Sequence, residues 1–443
     1  MSNTEDIGEL KWHPQRGFLI NELHSRPFQV IRDDTSITHL ALLGDYDTKE
    51  AQTLHLQRLV EALGSDHSVS SGALNSFSVG HFDVRMERHL EFTSLTLTDR
   101  TVQPRADQPF ALTALDRLPK GWLEKLPGIV VAAFHIRVER APTPLPGPVD
   151  VRHLFDDMRL VGSSPQGGNA QVWTSFRLHQ GGFGRFLVYN KALSKSQMGR
   201  MVQRLIEIET YRLMALLGFP DARALAPILA NMDGTLVELT QRLTDQTDAD
   251  EADILKQLTD MAAQIEAHRA RTTFRVNASR AYHDILLDRL DELREDEMSG
   301  HLTLREFLTR RLSPAVRSSE TMQKRLDDLS TRIDRTSDMM RTRVELAIQN
   351  QNRELLTSMD RRSKVQLMMQ HTVEGLSVAA ISYYLVGLVK YLTDALHSSG
   401  VALNQSLITG VSVPVIIGSV WLITRRIHRR FHELAKEEHR GQK

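Results

Sequence analysis

The chain has 443 residues, enough for more than one domain with a substantial core. Its 55 Lys and Arg are matched by 55 Asp and Glu, which argues against a dedicated nucleic-acid binder with its basic face. Cysteine is absent, which excludes disulfides, zinc–thiolate sites and thiol catalysis and fits a reducing compartment.

The opening MSNTEDIGEL lacks a basic stretch followed by an apolar one, so no secretory signal is expected there. NELHSRPF follows at Asn21–Phe28, with Glu22, His24 and Arg26 alternating up to Pro27. If this stretch is extended, the three side chains share a face, Glu22 fixing the His24 tautomer and Arg26 binding an anion. The plainer alternative is a Glu22–Arg26 pair with His24 bonded to backbone. Asp47 with Glu50 gives a capping-box pattern before a helical stripe of Ala51, Leu54, Leu59, Val60 and Leu63 that stops at Gly64. HFDVRMERHLEF alternates, Phe82, Val84 and Met86 against Asp83, Arg85 and Glu87, as a half-buried strand does. IVVAAFHIRV from Ile129 suits a central strand, with His135 a satisfied core residue. APTPLPGPVD reads as a surface crossing, and QVWTSFRLHQGGFGRFLVYN as a hairpin about Gly181, Gly182 and Gly184. Residues 1–193 are therefore expected to form a cytoplasmic α+β domain.

From Ser194 the chain turns helical. Ser194 and Gln197 form a capping box before Met198, Met201, Val202, Leu205, Ile208 and Tyr211, a helix running to Gly218 and Pro220. The acidic TDQTDADEAD reads as a solvated break between antiparallel helices, since its spacing is not that of a calcium loop. After Pro314, the residues Met322, Leu326, Leu329, Ile333, Thr336 and Met340 alternate four and three apart, like a coiled-coil seam. The seam then shifts to Val344, Ile348, Gln351, Leu355 and Met359, and neither Gly nor Pro interrupts Ala315–Glu374. Residues 194–372 thus read as an all-α antiparallel helical and coiled-coil stalk. It needs a partner, either its own preceding helices or another subunit.

Residues 373–424 read as a two-helix transmembrane hairpin. Val401–Thr424 carries no charge and is long enough to span a bilayer. Val373–Leu392 has a shorter uncharged part, which Lys390 extends by snorkelling. Arg361, Arg362 and Lys364 precede the pair, and Arg425, Arg426, Arg429 and Arg430 follow it in a basic tail, 425–443. By the positive-inside rule, both termini are cytoplasmic and TDALHSSG lies outside. The lipid bilayer is the expected partner, at an inner (plasma) membrane. No phosphate loop, GxGxxG turn, HExxH helix or GxSxG elbow is present, so no catalytic residue, cofactor or metal is expected.

NELHSRPF, RLIEIETYR, FRVNASRAY and SMDRRSKVQLMMQHTVEGLSVAAISYYLVGL together resemble a bacterial family of membrane-anchored proteins defined only by a domain of unknown function. The resemblance spans Asn21 to about Leu392. It implies a C-terminally anchored membrane protein of Gram-negative bacteria and carries over no catalytic residue. Leu23 and Ser25 stand where a smaller β-branched residue and Ala are expected; Glu22, His24 and Arg26 are in place.

Three functional readings remain open. The first is a scaffold or ligand- or partner-sensing module on a helical stalk, homo-oligomeric through stalk and membrane helices. The second is an oligomeric two-span ion channel or transporter, similar in layout to CorA-type magnesium channels. Here Tyr391-Leu392-Thr393 stands where those channels carry Gly-Met-Asn. The third is an enzyme using the Glu22/His24/Arg26 face.

Overall fold

A computed structural model describes residues 11–17, 19–20, 28–105, 107–244, 251–398 and 404–440, with the side chains of the last segment described as far as Ile427. Glu22, His24 and Arg26 lie outside the described residues, as do 245–250 of the acidic stretch. The chain divides into two units, Met1–Ser337 and Asp338–Lys443.

In the first unit, alternation of apolar and polar side chains builds one sheet. Its strands are β1 (Thr35–Leu43), β2 (Leu74–Val79), β3 (Phe82–Arg88), β4 (Phe92–Asp99), β5 (Ile129–Arg140), β6 (Val161–Ser164), β7 (Ala170–Thr174), β8 (Gly184–Asn190) and β9 (Asp296–Glu297). They lie in the order β2-β3-β4-β1-β5-β8-β7-β6-β9. All neighbours are antiparallel except β5 and β8. The apolar run of β5 is central, as expected, and β7 and β8 form the expected hairpin, turning through Gly181 and Gly182 at positive φ. His135 is also as expected, its Nδ1 2.9 Å from the Thr38 hydroxyl.

Helices cover both faces. On one, α1 (Tyr46–Ala62) buries Leu56, Leu59 and Val60 against Leu40, Leu42, Val84 and Leu97. Its cap is Asp45, whose carboxylate accepts from the Thr48 amide at 2.9 Å, so the helix starts before the Asp47–Glu50 pattern. The buried face is Gln52, His55, Leu56, Leu59 and Val60; Ala51 and Leu54 are exposed. The short α2 (Pro148–Arg152) follows the Pro-rich crossing.

On the other face lies α3 (Lys195–Leu216), opened by the expected box: the Ser194 amide donates to Gln197 Oε1 at 2.9 Å, and the Gln197 amide to Ser194 Oγ at 3.4 Å. Met198, Met201, Val202, Leu205 and Ile208 pack into one core with Ile37, Phe134, Ile136 and Val188 of the sheet. Next come α4 (Gly218–Thr244), with Pro220 in its first turn, and α5 (Glu251–Leu293), whose Leu286, Leu290 and Leu293 join the same core.

The helix expected after Pro314 begins earlier. It is α6 (Leu304–Ser398), capped by the Thr303 hydroxyl, which accepts from the Glu306 amide at 3.0 Å. Pro314 forfeits one backbone hydrogen bond without ending it. Within the first unit α6 lies on α5 and α4: His283 Nε2 is 3.0 Å from Ser313 Oγ, and Arg332 and Arg325 reach Asp233 at 2.6 and 3.2 Å. Leu326, Leu329 and Ile333 of the expected seam are buried by this packing.

The second unit holds the rest of α6 and α7 (Gln405–Arg440). Its described residues after Met340 are largely exposed; only Ser382, Thr393 and Val420 are buried. Among the described residues, three segments are long and apolar enough to cross a membrane: Lys195–Thr244, Leu304–Leu396 and Ser406–Ile427, the last with a mean hydropathy of 2.0. These apolar helices fit membrane anchoring.

Candidate functional site

The polar faces of three adjacent strands lie in register on the α3 side of the sheet. His39 pairs across with Thr96, Thr96 with Arg85, and Ser94 with Glu87. Period-two alternation puts these residues opposite Leu40, Val84, Met86, Leu95 and Leu97, which fill the α1-side core. The sequence places Arg85 and Glu87 on a solvent face; in the structure they are 5% and 6% exposed, because α3 and α5 close over them. They form the floor of a cavity of about 420 Å³.

The roof comes from helical spacing. Arg200, Gln203, Arg204, Glu207, Thr210 and Tyr211 recur three or four apart on α3, opposite to the stripe that enters the core. From α5 come Arg289 and Glu292, and Phe28, His89 and Phe92 complete the rim. Tyr211 stacks on Tyr282 with ring centroids 5.6 Å apart, and the Tyr282 hydroxyl donates to Glu91 at 3.0 Å.

Charges in the roof form a relay. Glu292 accepts from Arg204 at 2.9 Å and from Arg289 at 2.8 Å, and Arg289 also pairs with Glu207. The hydrogen bond from Arg204, with Arg289 adding to it, holds the Glu292 carboxyl below the usual carboxylate range. Burial works against the Arg289 charge, yet Glu207 and Glu292 outweigh it and push the guanidinium up. On the floor, Arg85 donates to Glu87 at 2.7 Å. His39 is fully enclosed, its Nδ1 2.8 Å from Thr96 Oγ1 and its Nε2 3.2 Å from Thr210 Oγ1. Burial, reinforced by His89, lowers it to about 3, so the ring is neutral near pH 7. Arg200 has its guanidinium 5.1 Å from the Phe28 ring and no carboxylate partner among the described residues.

Three stretches that are remote in sequence meet here. Phe28, the last residue of NELHSRPF, lines the cavity; the polar triad before it lies outside the described residues. RLIEIETYR contributes Arg204, Glu207, Thr210 and Tyr211. FRVNASRAY flanks it through Tyr282 and through Arg275, which pairs with Glu91. The segment just after Phe28 is held in place by Gly199: Ile31 N donates to Lys195 O at 3.2 Å, and a Cβ on Gly199 would overlap the Gln29 carbonyl. The profile of a family described as "Protein of unknown function (DUF3422)" matches residues 11–431.

The chain belongs to DUF3422. No curated protein and no solved structure matches it.

Sequence reasoning missed His39, Arg85, Glu87, Arg200, Arg289 and Glu292 of this DUF3422 cavity. A histidine inside the apolar β1 was the one available signal. Among the described residues, no cluster of three or more metal-ligating side chains occurs. The basic residues that flank the apolar segments lie on α6 and α7. Arg361, Arg362 and Lys364 are exposed, with Lys364 2.7 Å from Asp360. Arg426 is exposed, and Arg425 covers the Trp421 ring at 4.9 Å. Arg429 and Arg430 are on α7, with side chains outside the described residues.

Proposed function

We propose that this DUF3422 protein is a membrane-anchored sensor whose sheet domain binds a small carboxylate metabolite in the α3/α5 cavity. The observation that carries this reading is the cavity itself. Among the described residues, four guanidiniums and three carboxylates surround about 420 Å³, a volume suited to a metabolite. Six of those seven groups are engaged with one another in the pairs described above, leaving Arg200 as a fork for an incoming carboxylate beside the aromatic rim. The buried imidazole is held neutral and met by hydroxyls at both nitrogens, which favours binding over acid–base chemistry near neutral pH.

In this reading residues 373–392 and 401–424 are the two spans, and the first unit is cytoplasmic. The apolar side chains there are mostly exposed, as with Leu376 at 70% and Leu422 at 61%, and arginines flank both segments. The third apolar segment, Lys195–Thr244, instead gives α3 to the core of the sheet. Exposed Ile348, Leu355 and Met359 on α6 support self-association with a second copy.

The test is a thermal-shift screen of the full-length protein in neutral detergent against amino acids and C4–C6 dicarboxylates. At a hundredfold excess over Kd, a true ligand adds about 2.7 kcal/mol of stability. Arg200→Glu removes the shift while leaving the unliganded melting temperature in place. A screen without any shift, or a shift indifferent to Arg200→Glu, rejects the reading.

A further inference from the structure

A second cavity, of about 1390 Å³, opens at the β6–β9 end of the sheet, between α2, the turn after β7 and the first turns of α6. Five arginines line it, Arg152, Arg159, Arg177, Arg310 and Arg311, against a single carboxylate, Glu297. This is unlike the α3/α5 cavity, where guanidiniums and carboxylates nearly balance. Arg152 donates to the Asp157 carbonyl at 2.9 Å, and Arg310 pairs with Glu306 at 2.7 Å. The guanidiniums of Arg159, Arg177 and Arg311 have no ion pair or hydrogen bond among the described residues; Arg311 lies over the Phe307 ring at 5.5 Å.

The wall is built, not frayed. Phe176 stacks on Phe307 at 5.1 Å and 7°, and His301 meets the buried Trp173 edge-on at 5.2 Å. The turn that presents Arg177 is pinned by the Phe176 and Arg177 amides, which donate to Thr174 Oγ1 and Ser175 Oγ at 3.2 Å each. The first turn of α6 is already satisfied, since Glu295 accepts the Arg305 amide at 2.9 Å and Thr303 the Glu306 amide. The cavity's charge therefore comes from arginine side chains and not from open helix amides.

Like charges gathered in a concave surface focus a positive potential, and planar guanidiniums match phosphate oxygens in pairs. We propose that this cavity binds a multiply charged phosphate group, carried by a soluble organic polyphosphate or by the headgroup of an anionic phospholipid. One guanidinium from the α2 side, one from the β7 turn and one or two from α6 converge on it. The site is separate from the carboxylate cavity and does not depend on that assignment.

The experiment is isothermal titration of the full-length protein in neutral detergent with inorganic tripolyphosphate, and separately with dihexanoyl phosphatidic acid, a soluble phosphate-monoester lipid. The Arg159→Glu/Arg177→Glu variant changes two exposed residues, and its melting curve verifies that it is folded. Because it removes two charge-assisted hydrogen-bond donors, affinity falls about a hundredfold or more. Arg200→Glu, in the other cavity, leaves it unchanged. Tripolyphosphate binding alone supports the soluble source, and phosphatidic acid binding alone or in addition supports the headgroup. Binding of neither probe, or binding that the folded double variant retains, overturns the site.

Discussion

Gly199→Ala tests how the N-terminal segment is held against the cavity. In a helix interior this change normally stabilises by about 1 kcal/mol, because glycine loses more backbone freedom on folding. At position 199 the new methyl would overlap the Gln29 carbonyl, and the crossing chain must withdraw. Overpacking of this kind costs about 1–3 kcal/mol. Withdrawal also strains the Ile31–Lys195 hydrogen bond, worth about 1 kcal/mol, and uncovers Ile31, which is 3% exposed. The Ile31 side chain adds about 1–2 kcal/mol. The expected net loss is about 2–5 kcal/mol, and Phe28 leaves the rim. Gly234→Ala is the matched control, an exposed helical glycine with nothing within 4 Å of its Cβ, and it should gain about 0.5–1 kcal/mol. Urea unfolding of the full-length protein, followed by tryptophan fluorescence, measures both. If Gly199→Ala tracks Gly234→Ala, or is the more stable of the two, the packing described between Gln29 and α3 is wrong.

Stability should fall with acid below the ordinary histidine range. His39 is lowered to about 3 by burial, so between about pH 6.5 and 3 the unfolded chain takes up a proton that the folded chain refuses. That contribution is complete above pH 6.5 and is lost at up to about 1.4 kcal/mol per pH unit on acidification; His39→Gln flattens this dependence between pH 7 and 5 in urea titrations. Gly162→Ala should lose about 2 kcal/mol or more, because its Cβ would meet the Trp173 ring, which is fully buried, and the loss is read in the same unfolding assay. The absence of cysteine makes topology directly measurable. In spheroplasts, Ser398→Cys should react with a membrane-impermeant maleimide, and Ser318→Cys only after lysis; the reverse pattern refutes a cytoplasmic first unit.

Elements dominated by a single local rule were legible in the sequence. The Ser194–Gln197 box, the apolar run of β5 and the glycines between β7 and β8 each name their structure without tertiary information. Asp45 displaced Asp47 as a cap because both types cap equally well in sequence, and only the Thr48 amide decides between them. The start of α6 at Leu304 was hidden by Pro314, which normally marks a boundary. The cavity was the least legible feature. Arg85 and Glu87 alternate as solvent-facing residues do, and nothing local announces that helices more than a hundred residues downstream will cover them. Arg289 and Glu292 likewise look like ordinary surface charges three apart on a helix. What the sequence did offer were the stretches NELHSRPF, RLIEIETYR and FRVNASRAY, and their meeting at one place required the fold.

The most direct measurement for the proposed sensor role is hydrogen exchange of the full-length protein, with and without the carboxylate that raises its melting temperature most. Protection should rise together in peptides covering 85–94, 200–211 and 285–293, the floor and roof of the cavity. Protection confined to 297–311 or to the apolar helices, or no protection at all, would contradict it.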